Sequence, residues 1–209
     1  YKEVIAHYQA LCEAKPLERS DATPYREYIA WLVAQDRDAA HAHWQSRLGA
    51  VAQPVPLRLG QLQVPEQNAL QEQRLSLTVS ESEMLVAFAR SQKVTLNALL
   101  QFAWACVLAK YGQNHQALFG STVSGRPAEV PGVEQMMGLF INTLPVAFRF
   151  EPNEPLQQAL PRFFAQCQQD MAYGHLPLHE ALAAGHLAAE HVNTLFVFEN
   201  YPVSASEAV

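Results

Sequence analysis

Nine glycines and three cysteines are few for 209 residues, and neither charge sign is concentrated in any stretch. Each shortage excludes something. Gly120, Gly125 and Gly132 do not fall at the spacing of a phosphate-cradling or dinucleotide-binding loop. Cys12, Cys106 and Cys167 are odd in number and far apart, which argues against a disulfide framework. Cys12 and Cys106 also lie in apolar helical patterns, so buried free thiols in a reducing compartment are expected, with the cytoplasm as the default location. The 14 basic and 20 acidic residues give a mild net charge of −6 with no basic stripe, which excludes a nucleic-acid footprint. The longest apolar runs are broken by Asn97, Gln101 and Lys110 and fall short of a membrane span, and no signal peptide is recognisable. The first residue, Tyr1, sits within a helical pattern and is not a methionine, as expected for a piece of a longer polypeptide.

What is present is a globular pattern, 49% hydrophobic, enough for a substantial core. Val4, Tyr8 and Leu11 share a helical face, flanked by Ile5 and Cys12, and Lys15-Pro16 ends that helix. After a polar turn at Ser20 to Pro24, helices are predicted over 25–33 and 36–48, with Tyr25, Tyr28, Trp31 and Trp44 facing inward and Gly49 as a stop. Residues 51–71, with Pro54, Pro56, Gly60 and Pro65, read as a surface linker at a domain or subdomain boundary. The alternation of Leu75, Leu77 and Val79 with Arg74, Ser76 and Thr78 predicts a half-buried strand. Ser80 and Glu83 then have the spacing of a capping box, opening a helix with Met84, Leu85 and Phe88 inward.

Thr95 is placed to cap the most apolar helix, 96–111, whose inner stripe is expected to be Leu96, Leu99, Leu100, Ala103, Val107 and Tyr111, extended by Phe102 and Trp104. Gly112 would follow as its C′ residue. A central strand at 117–123, a second at 144–150, helices at 155–172 and 178–184 and a last strand at 194–198 complete an α/β chain, a mixed β-sheet layered with helices.

The stretch from Ala117 to Pro145 is the candidate site, because small polar residues and one arginine interrupt hydrophobic segments in a loop between strands. Ser124 follows a strand but lacks the glycine-flanked elbow of a hydrolase nucleophile: Thr122 stands two residues before it and Pro127 follows. It reads as a turn or hydrogen-bonding residue. Arg126, between Gly125 and Pro127, offers a planar fork to a carboxylate or phosphate, or is a plain surface arginine. Asn142 and Thr143 need partners if buried and could tie down a bend. His41 and His43 diverge on their helix, and His175, His179, His186 and His191 lack metal-ligand spacing, so no metal is expected.

Three runs carry a resemblance: Ser124-Gly125-Arg126-Pro127, then Gly138-Leu139-Phe140-Ile141-Asn142-Thr143-Leu144-Pro145, then Val197-Phe198-Glu199-Asn200-Tyr201-Pro202. With Tyr25-x-x-Tyr28-x-x-Trp31, Gln35-Asp36 and Trp44-x-x-x-Leu48, they resemble condensation domains of nonribosomal peptide synthetases over nearly the whole chain. The family's His-His-x-x-x-Asp-Gly motif, which holds its catalytic histidine, is absent here and is expected upstream of Tyr1. The resemblance thus implies one lobe of a chloramphenicol-acetyltransferase-like two-lobed domain. Residues 1–50 would close the N-lobe and join the lobes, 51–71 would link, and 72–209 would form the C-terminal lobe.

It further implies an enzyme that forms amide bonds between aminoacyl or peptidyl thioesters, with this fragment inactive alone. Substrates would arrive on the phosphopantetheine arms of carrier proteins, with no directly bound cofactor. The implied partners are the N-terminal lobe, upstream and downstream carrier proteins and an adenylation domain, with no nucleic acid and no membrane. Arg126 would pair with the aspartate of the missing motif and brace the active-site loop. Ser124, Gly125, Gly138, Phe140, Asn142 and Thr143 would lie near the substrate tunnel. Siblings on the same fold, an epimerisation or heterocyclisation domain, are less well matched by these runs. A non-catalytic partner-recruiting module and a coenzyme A-dependent acyltransferase are the other readings.

Overall fold

The computed structural model describes residues 2–16, 23–51 and 72–199. Residues 52–71 of the expected 51–71 linker, part of the turn at Ser20 to Pro24 and the final Asn200-Tyr201-Pro202 run lie outside the described residues. The chain divides into two compact units, Tyr1–Gln35 with Arg126–Phe140, and Asp36–Gly125 with Ile141–Val209.

The first unit holds α1 (Lys2–Cys12) and α2 (Tyr25–Val33). The apolar stripe expected to face inward on α1 is exposed in the structure: Val4, Tyr8 and Leu11 are each about two-thirds accessible, and Cys12 is exposed too. Periodicity identifies a sided helix, but what covers the side is not written in the helix itself. On α2 the expectation holds. Tyr28 is buried, and Tyr25, Trp31 and Leu32 pack with it against Val130, Val133, Met136 and Phe140.

The second unit is the α/β layer structure. The central helix α5 (Leu96–Tyr111) leads into β1 (Gln116–Val123), which pairs antiparallel with β2 (Asn142–Arg149) and parallel with β3 (Leu195–Phe196), in the order β2-β1-β3. Pro145 lies opposite Gly120 on β2, which is an edge strand among the described residues, where a missing N–H is tolerated. Helices cover both faces of β1. On one, α5 and α6 (Leu156–Met171) pack Phe102, Leu160 and Phe163 onto Phe119 and Phe148. Phe102, Phe148 and Phe163 meet edge to face at centroid distances of 5.2–5.8 Å, the preferred aromatic arrangement. On the other, α3 (Arg37–Leu48) and α7 (Leu178–Ala184) place Trp44, Leu48 and Leu182 against Leu118, Leu144 and Ala147. This accounts for the apolar content of both faces of β1. No single helix among the described residues is long and apolar enough to cross a membrane.

Several details differ from the sequence expectation. Residues 72–78 form no strand and are exposed, Leu75 to 88%. Helix α4 (Val79–Ser91) is capped by Thr78, whose side chain accepts the Glu81 N–H while the Glu81 carboxylate accepts the Thr78 N–H. The box therefore sits two residues before the Ser80/Glu83 pair, which has the same spacing and could not be told apart by pattern alone. Met84 and Phe88 face outward, while Leu85 packs on the core beside buried Ala89. On α5 the buried face is Ala98, Leu99, Gln101, Phe102, Ala105, Leu108 and Ala109, with Ala103, Val107 and Tyr111 exposed. A helix apolar all round gives its period little to lock onto. The Thr95 cap is present, accepting from Ala98 N. Gly112 is right-handed and Gln113, at φ 50°, takes the left-handed turn assigned to Gly112. Pro155 is the N-cap of α6 and not part of its first turn.

Candidate functional site

In the first unit, Arg126 and the loop to Phe140 form a self-clamped structure. Arg126 Nη1 donates to the carbonyls of Val133 and of Met136, the latter at 3.0 Å, and its guanidinium carbon lies 4.1 Å from the Phe140 ring centre. A cation over an aromatic face adds electrostatic attraction to those bonds. Phe140 is held from the other side by Tyr28 at 4.6 Å and Tyr25 at 5.2 Å between ring centres. The Tyr25 hydroxyl donates to the Leu139 carbonyl at 2.5 Å. Burial, then the neighbouring Tyr25, pushes the Tyr28 phenol above its ordinary pKa. Gly138 has a direct reason to be glycine, since a Cβ there would lie 2.1 Å from the Tyr25 ring. The i, i+3, i+6 aromatics of α2 therefore fix the far end of the loop while Arg126 fixes its middle.

In the second unit, β1 ends at Val123, followed by exposed Ser124 and then Gly125 at φ 63°, a conformation that costs glycine little. Ser124 makes no side-chain hydrogen bond among the described residues, so no base is positioned to activate it. Asn142 opens β2 and is fully engaged: its amide donates to the carbonyls of Gly174 (2.8 Å) and Leu176 (3.0 Å), and its oxygen accepts the Thr143 N–H at 2.8 Å. It ties the α6–α7 turn to the sheet. Thr143 faces Thr122 across the β1–β2 pair.

The same unit contains a buried polar cluster that motif reading passed over. Asp170, with a side chain 5% exposed, accepts two bonds from Arg47 Nε at 3.2 Å and lies 2.9 Å from His43 Nε2. Arg47 also donates to the Ala147 carbonyl and to Gln166. The His43 ring stacks on Tyr173 at 4.2 Å, and Trp44 Nε1 donates to the Tyr173 carbonyl at 3.2 Å. The sequence did carry a hint. Asp170 falls on the α6 face that also bears Phe163 and Cys167, where a carboxylate requires buried partners. Burial, then the Asp170 charge, pushes the adjacent Cys167 thiol up to about 12. Cys106, expected to be buried, is exposed, although desolvation still raises its pKa.

Of the histidines, His43 is in this cluster, His41 lies 3.5 Å from Glu180, and His175 is shifted downward, chiefly by burial. Among the described residues no three His, Cys, Asp or Glu are placed to hold a metal ion.

Among the described residues the arrangement is one of two clamped turns and a buried brace, with no assembled nucleophile and base. A condensation-domain family model matches residues 1–209. A linear gramicidin synthase protein of Brevibacillus parabrevis is 36% identical over 210 residues, covering 98% of this chain and 3% of that protein. Bacitracin synthase 3 of Bacillus licheniformis is 32% identical over 203 residues, covering 96% of this chain and 3% of that protein. The chain thus spans less than a tenth of these relatives. Among solved structures, the first condensation domain of the CDA synthetase superposes with a TM-score of 0.70 at 16% identity, over 94% of this chain and 44% of that one. The X-domain from teicoplanin biosynthesis gives 0.64 at 17%, over 87% and 42%. These neighbours share the chloramphenicol-acetyltransferase-like fold that the helix-layered mixed sheet was expected to have. The chain belongs to the condensation-domain family of nonribosomal peptide synthetases.

Proposed function

We propose that these 209 residues are the C-terminal lobe of a peptide-bond-forming condensation domain, with residues 1–50 as the preceding interlobe segment and 51–71 as a linker. The amine of an acceptor aminoacyl group attacks the thioester carbonyl of a donor. A C–N bond forms, the C–S bond breaks, and the amine proton ends on the released thiol. Both substrates are presented on phosphopantetheine arms of carrier proteins in the cytoplasm, beside an adenylation domain. Tethering replaces bimolecular encounter with positioning, so much of the rate comes from how the substrates are held.

The observation that carries this reading is the family match over residues 1–209, beside a candidate site in which the described side chains clamp two turns. In this reading Arg126 braces the active-site loop through the aspartate of the upstream motif. Ser124, Gly125, Gly138, Phe140, Asn142 and Thr143 border the substrate tunnel. The catalytic histidine lies outside this chain, and the isolated chain is inactive.

The test is amide formation between loaded carrier proteins, measured by mass spectrometry for the full-length domain, its Arg126→Ala variant and the 209-residue chain. The full-length domain turns over, the variant is slower and melts lower, and the isolated chain is silent. Turnover by the isolated chain, or an Arg126→Ala domain with unchanged rate and melting, overturns the corresponding part. A full-length domain that binds partners without turning over supports the recruiting module instead.

A further inference from the structure

An open groove of about 390 Å³ lies where α5 turns into β1. That size suits a small-molecule site, which is typically apolar inside with a few polar groups around it. Cys106 and Ala109 of α5, with Phe150 just past β2, form the apolar part, and Lys110, Gln113, Asn114 and His115 the polar part. The groove stands at the Gln116 end of β1, whereas Gly125 follows the other end, eight strand residues or about 25 Å away. Its polar side chains have no task inside the chain: among the described residues Lys110, Gln113, Asn114 and His115 make no side-chain hydrogen bond or ion pair. The last carbonyls of α5 do not repel an anion here as open acceptors would. Those of Leu108, Ala109 and Lys110 are taken by the N–H groups of Gly112, Asn114 and Gln113.

The apolar part favours a ring. Half-buried Phe150 already meets Phe148 edge to face at 4.9 Å and Phe102 at 5.8 Å between ring centres, so a ring laid on its free surface extends an existing aromatic cluster. The Cys106 thiol, pushed up by desolvation, stays protonated and adds a soft apolar surface that aromatic edges accept. We propose that this groove is a binding site for a small aromatic carboxylate, its ring against Phe150 and Cys106, its carboxylate on Lys110, and the side-chain amides of Gln113 and Asn114 donating to the remaining lone pairs. A single lysine matches a monoanion, whereas a phosphate ester brings close to two negative charges. Such a site is independent of the amide-forming reading, since it shares no residue with the candidate site.

Alkylation of Cys106 reports occupancy. In the full-length condensation domain at about pH 8.5, labelling of Cys106 by iodoacetamide, followed by peptide mass spectrometry, slows about 10-fold with saturating naphthylacetate. Naphthylacetamide, with the same ring and no charge, protects much less. Lys110→Met, at an exposed position, raises the naphthylacetate concentration for half-protection about 5-fold, the upper end for an exposed ion pair, and Lys110→Arg leaves it near the wild-type value. Unchanged labelling in the presence of the acid overturns the proposal, as does equal protection by the acid and the amide. Slow labelling of Cys106 in the folded domain without any additive also overturns it, because the groove is then covered by another part of the polypeptide.

Discussion

Asp170→Ala removes the acceptor at the centre of the α3–α6 brace. The carboxylate is 5% exposed and the Arg47 side chain 19% exposed, so water replaces little of what is lost. Deleting one partner of a buried ion pair costs about 3–5 kcal/mol, because the survivor is left desolvated and unpaired. Arg47 would keep its bonds to the Ala147 carbonyl and to Gln166, and His43 its stack on Tyr173, which places the loss near the lower end, about 3 kcal/mol. For a chain of this size that corresponds to about 6–12 °C in melting temperature. Urea titration followed by tryptophan fluorescence suits the measurement, since Trp44 lies one residue from His43 and bonds to the same turn. The double variant Arg47→Met with Asp170→Leu removes both charges and should recover most of the loss, as apolar replacement of buried pairs usually does. A loss below about 1 kcal/mol for Asp170→Ala, or a double variant no better than the single one, would falsify the brace as a coupled buried unit.

Three further outcomes follow from particular contacts. Gly138→Ala drives a methyl into the Tyr25 ring and should cost about 1–3 kcal/mol, the range for overpacking, with Tyr25→Ala in the same chain relieving that clash; an unperturbed Gly138→Ala melt would show that the loop is not pinned there. Alkylation at pH 8 followed by peptide mass spectrometry should modify exposed Cys12 readily and Cys167, with its thiol pushed up to about 12, last; early loss of the Cys167 thiol would contradict the packing around Asp170. His175 has a folded pKa lowered first by burial and also by the Arg37 charge, against a raising backbone bond from Asp36. The unfolded chain therefore binds more protons, so the His175 contribution is full above the unfolded histidine pKa and is lost as pH falls towards the folded value; His175→Gln should flatten stability against pH in that window.

What the sequence made legible depended on whether an element's partners were local to it. The Thr95 cap, the 96–111 and 178–184 helices and the central position of β1 follow from spacing and from apolar content on both faces, and the structure has all of them. The α1 stripe and the 72–78 alternation are equally clear as patterns, but each needs a surface from elsewhere, and the described residues leave both exposed. Reading burial from periodicity assumes that the chain supplies its own cover. The α5 face failed for a different reason, because the whole helix is apolar and the burial choice was made by the aromatic cluster of Phe102, Phe148 and Phe163. The Asp170 brace was hidden because its three members come from positions up to 127 residues apart, and only the misplaced charge on the α6 face hinted at it.

Arg126 shows how far the site itself could be read. From sequence it was either a fork for a carboxylate or a surface arginine, and the geometry gives it a use that neither alternative contained. One nitrogen, Nη1, holds two carbonyls of its own loop, and the flat face of the guanidinium lies on Phe140. Among the described residues Nη2 and Nε make no hydrogen bond, so half of the fork remains available after the loop is clamped. A lysine could not divide itself this way, since its ammonium has no planar face and no second nitrogen. Clamping the loop therefore does not compete with the carboxylate pairing proposed for this residue. The clamp fixes the guanidinium plane in advance, which lowers the ordering cost of any later bidentate partner. Loosening this clamp should change how tightly the loop is held before it changes any chemistry that depends on the loop.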